Sequence, residues 1–332
     1  MSVSGTTSFT QTRDQLIFDA FALLNVYGIG RTPSAEDFNI AISFLNKMIK
    51  FWGTKGLHLW CKEEAVLYFT QYKSQYGFGN SNSINLTPAY SCLRSNVSTT
   101  QTTAAYPIGT MAFNIINSGK MNIGDNIGIV QSDNSLFWTT IASVTTTSVI
   151  LNSGITVATN NATMVYSFPI SAILNKPYRI IGARLVNGFD SGATTTVNEI
   201  MMNPISHADY QNLPTKSINS SVPNQYNYDP QLDYGVLNLW PRPNNCSYRI
   251  HFTYERIIDD MNNPGDNFDF PQEWLEPLTW ELAVRLAPAF GKEKKLQVIM
   301  PIAKDMLDQL LDFDSEVTGI SFQPDRDGGG VY

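Results

Sequence analysis

The chain has 332 residues, a formal net charge of −7 and only 15% charged residues, against about a quarter in an average soluble chain. That length allows two domains and a substantial core. No Lys/Arg run exceeds the short Lys292-Glu-Lys-Lys295, which argues against sequence-reading nucleic-acid binding. Cys61, Cys92 and Cys246 are odd in number and widely spaced, so no disulfide framework is implied, and no apolar run approaches the length of a membrane span. These features describe a chain made in a cytoplasm.

Taken in order, residues 1–10 are polar. Thr12 then caps a first helix, with Gln15 as its capping-box partner. That helix runs to about Tyr27 and buries Leu16, Ile17, Ala20, Phe21 and Leu24, and Gly28-Ile-Gly30 ends it as a turn. Thr32-Pro33 opens a second helix in which Phe38, Ala41, Ile42, Leu45, Met48, Ile49 and Trp52 share one face. Each large member is worth roughly 1.5–3 kcal/mol if fully buried, so this face needs partners.

From Glu64 onward the pattern is β. Strands are expected at Glu64–Thr70, Ser83–Leu86, Ala112–Ile116, Asn126–Gln131, Leu136–Val144, Ser148–Leu151, Thr163–Ser167, Tyr178–Val186, Val197–Met202, Gly235–Trp240 and Tyr248–Tyr254. Between about 107 and 167 they are short and turn on Asn122/Gly124-Asp125, Asp133-Asn134 and Ser153-Gly154. Such spacing predicts a small antiparallel barrel nested in a larger β domain. Residues 203–232 read as a helical turn and an aromatic-rich loop, and 234–240 should pair with 247–256 as a hairpin.

The stretch from Phe268 to Gly291 predicts a helix capped by Asp269 and opened by Pro271. Leu275, Leu278, Leu282, Leu286 and Phe290 recur at helical spacing, and Trp274, Ala283 and Ala287 widen the stripe. A stripe this wide requires helices on several sides. A last helix, 292–312, turns Leu296, Met300, Ala303, Leu307 and Leu310 inward. Pro277, Pro288 and Pro301 should bend these two helices.

The fold class expected is α+β: an antiparallel helical bundle from both chain ends, with a large antiparallel β insertion carrying a nested small β-barrel. The domains are 1–62 and 259–317 (helical), 63–106 and 168–258 (β), 107–167 (barrel) and 318–332 (flexible tail). In the tail, Ile320, Phe322, Val331 and Tyr332 are apolar enough to fill pockets on a partner.

Site chemistry is sparse. His58, His207 and His251 sit in separate elements without ligands at metal spacing. Asp260–Asp266 resembles a calcium loop, but Pro264 and Pro271 stand where ligands belong. There is no Gly-x-Ser-x-Gly elbow, and Gly291-Lys292 lacks the rest of a phosphate-binding loop. The residues do not argue for an enzyme, and no catalytic residue, metal or cofactor is expected.

Three segments together look like something specific. They are Phe51-Trp52-Gly53-Thr-Lys-Gly56-Leu-His-Leu-Trp60, then Gly124-Asp125-Asn-Ile-Gly-Ile-Val with Phe137-Trp-Thr-Thr-Ile141, and a module from Tyr210 to Gly291. The module holds Tyr210-Gln-Asn-Leu-Pro-Thr-Lys216, Leu239-Trp-Pro-Arg-Pro243 and Phe270-Pro-Gln-Glu-Trp-Leu275 in order. Over roughly 10–315 the chain resembles the head-to-tail adaptors (tail accessory factors, or packaged-DNA stabilisation proteins) of short-tailed bacteriophages.

The resemblance implies a structural virion protein of the tail or neck, assembled in the host cytoplasm. It implies a ring, usually twelve-fold, under the portal protein, which extends the DNA channel, retains packaged DNA and attaches the tail nozzle protein. Fibres or spikes are further partners, with portal docking assigned to Ile320, Phe322, Val331 and Tyr332. DNA would pass without sequence-specific binding, and no membrane is involved. The rival is a carbohydrate- or receptor-binding β protein that uses Tyr226, Tyr228 and Trp240 as sugar platforms. A weaker third reading is a glycosidase.

Overall fold

The computed structural model describes residues 9–28, 31–53, 59–79, 87–88, 90–187, 198–220, 222–246 and 248–314. The fold is mixed α+β, with five α-helices and two large curled sheets among these residues. The helices are α1 Arg13–Leu24, α2 Ala35–Gly53, α3 His207–Asn212, α4 Leu275–Leu286 and α5 Glu293–Phe313. The chain divides into two compact units, Met1–Cys61 with Ile258–Tyr332, and Lys62–Ile257.

In the first unit, α4 packs against α1, α2 and α5. Thr12 and Gln15 form the expected capping box, the Thr12 amide donating to Gln15 Oε1 at 2.9 Å and the Gln15 amide to Thr12 Oγ1 at 3.4 Å. The helix stops at Leu24, short of Tyr27, because Asn25 turns left-handed at φ 52°. Ser34 rather than Thr32 starts α2, its Oγ accepting from the Asp37 amide at 3.2 Å. The predicted inner faces of α1 and α2 form one core with Leu275, Leu278, Leu282, Ala283, Leu286 and Ala287 of the α4 segment.

Three details of the helical reading need correction. Asp269 does not cap α4; its carboxylate accepts from the Asp259 amide, and a short 3-10 turn, Gln272–Trp274, precedes the helix. Pro277 lies in the first turn of α4, where its missing N–H costs no helical bond, and Pro288 comes after the C-cap Ala287, outside the helix. Neither proline therefore interrupts α4, whereas Pro301 does lie inside α5. On α5, Met300 faces out at 52% exposure and Ile299 takes the inner place. The inward stripe is Ile299, Ala303, Leu307 and Leu310, with Leu296 partly buried beside it.

In the second unit, the first strands are β1 Lys62–Tyr68, β2 Gln75–Gly79, β3 Thr87–Pro88, β4 Tyr90–Leu93, β5 Ser98–Gln101 and β6 Ala112–Asn114. Next come β7 Asn126–Val130, β8 Leu136–Val144, β9 Ser148–Leu151, β10 Met164–Phe168, β11 Arg179–Asn187 and β12 Asn198–Pro204. The last are β13 Asn219–Ser220, β14 Gln225–Pro230, β15 Tyr234–Trp240, β16 Arg242–Pro243 and β17 Tyr248–Glu255. Nine form one sheet in the order β3-β2-β15-β14-β12-β11-β17-β1-β4, and six form another in the order β5-β10-β7-β8-β9-β6. The pair β13-β16 stands alone.

The insertion is not wholly antiparallel. β2–β3, β12–β14 and β13–β16 run parallel. The β12–β14 case follows from its connection, a crossover carrying α3, since parallel neighbours need a long link. The expected hairpin of 234–240 with 247–256 also does not form. β15 pairs with β14 and β2, while β17 lies between β11 and β1. β14 replaces the expected loop, burying Tyr226 and Asn227. The buried Asn227 amide is satisfied: its Nδ2 donates to the Ile205 carbonyl at 3.0 Å and its Oδ1 accepts from Asn238. The strand expected at Ser83–Leu86 lies outside the described residues.

β1 shows how the two sheets use one sequence. Ala65, Leu67 and Phe69 enter the core on one face of the nine-stranded sheet. Val66 and Tyr68 point the other way, against Tyr166 and Phe168 of the six-stranded sheet. Burial on both faces explains the unbroken apolar run from Ala65 to Phe69. Trp138 packs at the same junction, stacked on Tyr90 with centroids 4.6 Å apart and edge-on to Tyr68 at 5.3 Å. Gly128 makes room for it, since a Cβ there would come within 2.9 Å of the indole. The six-stranded sheet starts at Ser98, earlier than residue 107, and curls until its outer strands meet at the Thr102–Ile115 bridge.

Leu282 is fully buried in the helical core. Leu282→Ala should therefore cost about 2–5 kcal/mol in chemical denaturation. A loss under about 0.5 kcal/mol, typical of surface positions, would contradict this packing.

Candidate interaction surfaces

Ile320, Phe322, Val331 and Tyr332, the residues assigned to portal docking, lie outside the described residues, as does His58. The other sequence candidates are placed. In the Asp260–Asp266 loop, Asp266 Oδ2 accepts from the Asn262 and Asn263 amides at 3.0 and 2.7 Å. These amide bonds hold its carboxyl below the usual range. The loop is thus closed by its own backbone around that carboxylate. Among the described residues, no group of three or more His, Cys, Asp or Glu is arranged to hold a metal ion.

The three tryptophan and tyrosine positions considered as sugar platforms do not share one surface role. Tyr226 is buried in the core of the nine-stranded sheet, and the Tyr228 hydroxyl donates to the Pro177 carbonyl at 2.6 Å. Burial raises the Tyr228 phenol far above its ordinary range. Trp240 Nε1 donates to the Thr215 carbonyl at 3.1 Å. The cysteines are free and buried, and burial pushes the Cys92 thiol up to about 12 and the Cys246 thiol up to about 11. Both are protonated at neutral pH and poor nucleophiles.

A chain of charges crosses the nine-stranded sheet on the face that carries Val66 and Tyr68. Arg94 Nη1 and Arg184 Nη2 donate to the two oxygens of Glu64 at 2.7 and 2.8 Å. Arg184 Nε lies 3.2 Å from Glu199 Oε2, and the other Glu199 oxygen is 3.5 Å from His251 Nδ1. Arg249 Nε donates to His251 Nε2 at 3.2 Å, and the Arg249 guanidinium lies over the Tyr166 ring. A guanidinium donating to Nε2 leaves the imidazole proton on Nδ1, facing Glu199.

β-strand alternation sets this arrangement, because Glu64 shares a face with Val66 and Tyr68, and Arg249 with His251. The residues come from β1, β11, β12, β17 and, for Arg94, the 3-10 turn just after β4, so sequence spacing could not assemble them. Their chemistry is that of a clamp on strand register beside the junction of the two sheets.

In the helical unit, a cleft of about 680 Å³ lies between α1 and the α4 segment, lined by Phe9, Asp19, Leu23, Leu275, Glu276 and Trp280. A neighbouring groove of about 550 Å³ shares Phe9 and Asp19. The helices also keep large apolar side chains in solvent, among them Phe18, Ile40, Phe51, Val298 and Phe313. No described helix is long and apolar enough to cross a membrane. No protein-family model matches the sequence, and no curated protein matches it significantly.

The two arginines hold the Glu64 carboxyl below the usual glutamate range, Arg94 contributing most. A depressed carboxyl stabilises the fold above its unfolded value of about 4.3 and loses that contribution as pH falls through its folded value. Glu64→Gln should therefore be less stable than the native chain at about pH 7, and the gap should be narrower at about pH 3, below the unfolded value. Equal gaps at both pH values in urea titrations would contradict this role.

Proposed function

We propose that this chain is a structural subunit of the head-to-tail adaptor ring of a short-tailed phage virion. In this reading the four long helices are an antiparallel bundle that forms the body of the ring. The curled six-stranded sheet is a nested barrel within the β insertion. The ring sits beneath the portal protein, extends the DNA channel, retains packaged DNA and carries the tail nozzle, with fibres or spikes as neighbours.

The observation that carries the reading is the double-sided character of the helical unit. α2 and α5 each bury one apolar face against α4 and leave a second apolar face in water. A lone soluble domain has little use for such faces, whereas a ring subunit covers them with its neighbours. The sequence resemblance over roughly 10–315 names the kind of ring. The acidic balance, −7 overall, suits a channel wall along which phosphates must slide without sticking. The work of such a subunit is mechanical, and no catalytic residue is assigned.

The test is made in the virion. Particles carrying a tagged subunit should show label at the neck in electron micrographs. Particles made without the subunit should package DNA, lose it, and lack the nozzle. Label confined to the capsid shell or fibre tips, or stable tailed particles lacking the subunit, would overturn the proposal.

A further inference from the structure

We propose that the cleft between α1 and the α4 segment, with the groove beside it, receives a peptide segment of a partner protein in which apolar side chains alternate with lysine or arginine. This goes beyond the ring reading and does not depend on it.

The two hollows, about 680 and 550 Å³, lie side by side along α1 and share Phe9, Gln11 and Asp19. Phe9 is 66% exposed and is a wall of both, its amide donating to Gln272 Oε1 at 3.3 Å. Leu23, Leu275 and Trp280 give the larger hollow its apolar lining, and Phe18 and Phe38 do so in the smaller. Phe18 is itself 46% exposed. Two apolar hollows with one wall in common suit neighbouring side chains of one chain segment better than a single compact ligand.

Charge selects the kind of segment. Among the described residues that line the hollows, the charged ones are Asp14, Asp19 and Glu276, with no Lys or Arg. The cations close by are already engaged. Arg13 is buried, lies 2.8 Å from Asp14 and donates to the Asn262 carbonyl at 2.7 Å. Lys295 Nζ donates to the Leu23 carbonyl at 3.0 Å.

Arg13 therefore offsets Asp14, whereas Asp19 and Glu276 keep their charge for a ligand. Asp19 accepts from the Gln11 side-chain amide through Oδ2 only, and Glu276 is exposed. These carboxylates stand on two different helices with apolar walls between them. An ammonium or guanidinium group meets a carboxylate there while its alkyl stem and an apolar neighbour fill the hollows. Phosphate backbones and anionic lipid surfaces carry the wrong sign for this lining.

The probe is a short dye-labelled peptide of alternating lysine and leucine, titrated into the full chain and followed by fluorescence anisotropy. It should bind, and its glutamate-leucine counterpart should not. The double variant Asp19→Asn/Glu276→Gln should bind about fivefold more weakly. Asp305→Asn/Asp308→Asn removes as much negative charge from exposed positions on α5 and should change binding by less than about twofold. Ala22→Arg sets a cation and bulk into the cleft from an exposed position and should weaken binding at least about tenfold. Circular dichroism checks that each variant keeps the native helix content.

Equal loss in the two double variants would show general attraction to an acidic chain and overturn the inference. No binding by the native chain, equal binding of the lysine and glutamate peptides, or unchanged binding in Ala22→Arg would also overturn it. So would a native chain that is dimeric by itself and that Ala22→Arg turns monomeric, since a second copy would then be the occupant. The ring reading is tested separately, by the virion experiment.

Discussion

Everything in the helical unit depends on burying α4 on several sides at once. Its Leu275, Leu278, Leu282, Ala283 and Leu286 leave little of its circumference for water, and a helix of twelve residues cannot hold itself together alone. Its partners come from both ends of the chain, α1 and α2 from one and α5 from the other. The first sixty residues therefore have no complete core until the last seventy-five return. Aromatic packing marks the return, with Trp52 against Trp274 at 5.6 Å and Trp60 against Phe270 at 5.0 Å. Backbone groups are tied there too: Lys50 Nζ donates to the Ile258 carbonyl at 2.7 Å, and the Met261 amide donates to Asn46 Oδ1 at 3.1 Å.

The long excursion between Cys61 and Ile258 is compatible with that constraint because it ends where it begins. β1 and β17, its first and last strands, are antiparallel neighbours with Lys62 opposite Glu255. The intervening chain can thus be large without forcing apart the segments that enclose α4. The same two strands carry much of the β unit's energetics. β1 supplies apolar side chains to the cores on both faces of its sheet, and β17 supplies His251 and Arg249 to the charge chain that crosses it.

Much of this was legible from the residues. The Thr12/Gln15 capping box, the α4 stripe and the apolar run of β1 each express a local rule strong enough to survive tertiary context. The failures are equally physical. β14 hid because Gln225-Tyr-Asn-Tyr-Asp-Pro230 has the composition of a loop, and only its partners Ile205 and Asn238 make a buried Asn227 affordable. The hairpin error came from treating sequence neighbours as sheet neighbours, whereas β17 is claimed by strands from far away on both sides. Met300 and Ile299 were exchanged because a single residue rotates a helical stripe by about 100°. The charge chain from Arg94 to Arg249 has no sequence signature at all, since four strands and the turn after β4 contribute to it.

The functional account rests on the apolar side chains that α2 and α5 leave in solvent beside the faces they bury. Its central claim is that copies of the chain close into a ring. The mass of the assembled particle tests that claim most directly, measured by native mass spectrometry on the purified chain with and without portal protein. The account predicts one closed species at a fixed multiple of 37.0 kDa, seen as a ring when the same sample is imaged. A 37.0 kDa monomer at every concentration under both conditions, or open filaments of varying mass, would contradict it.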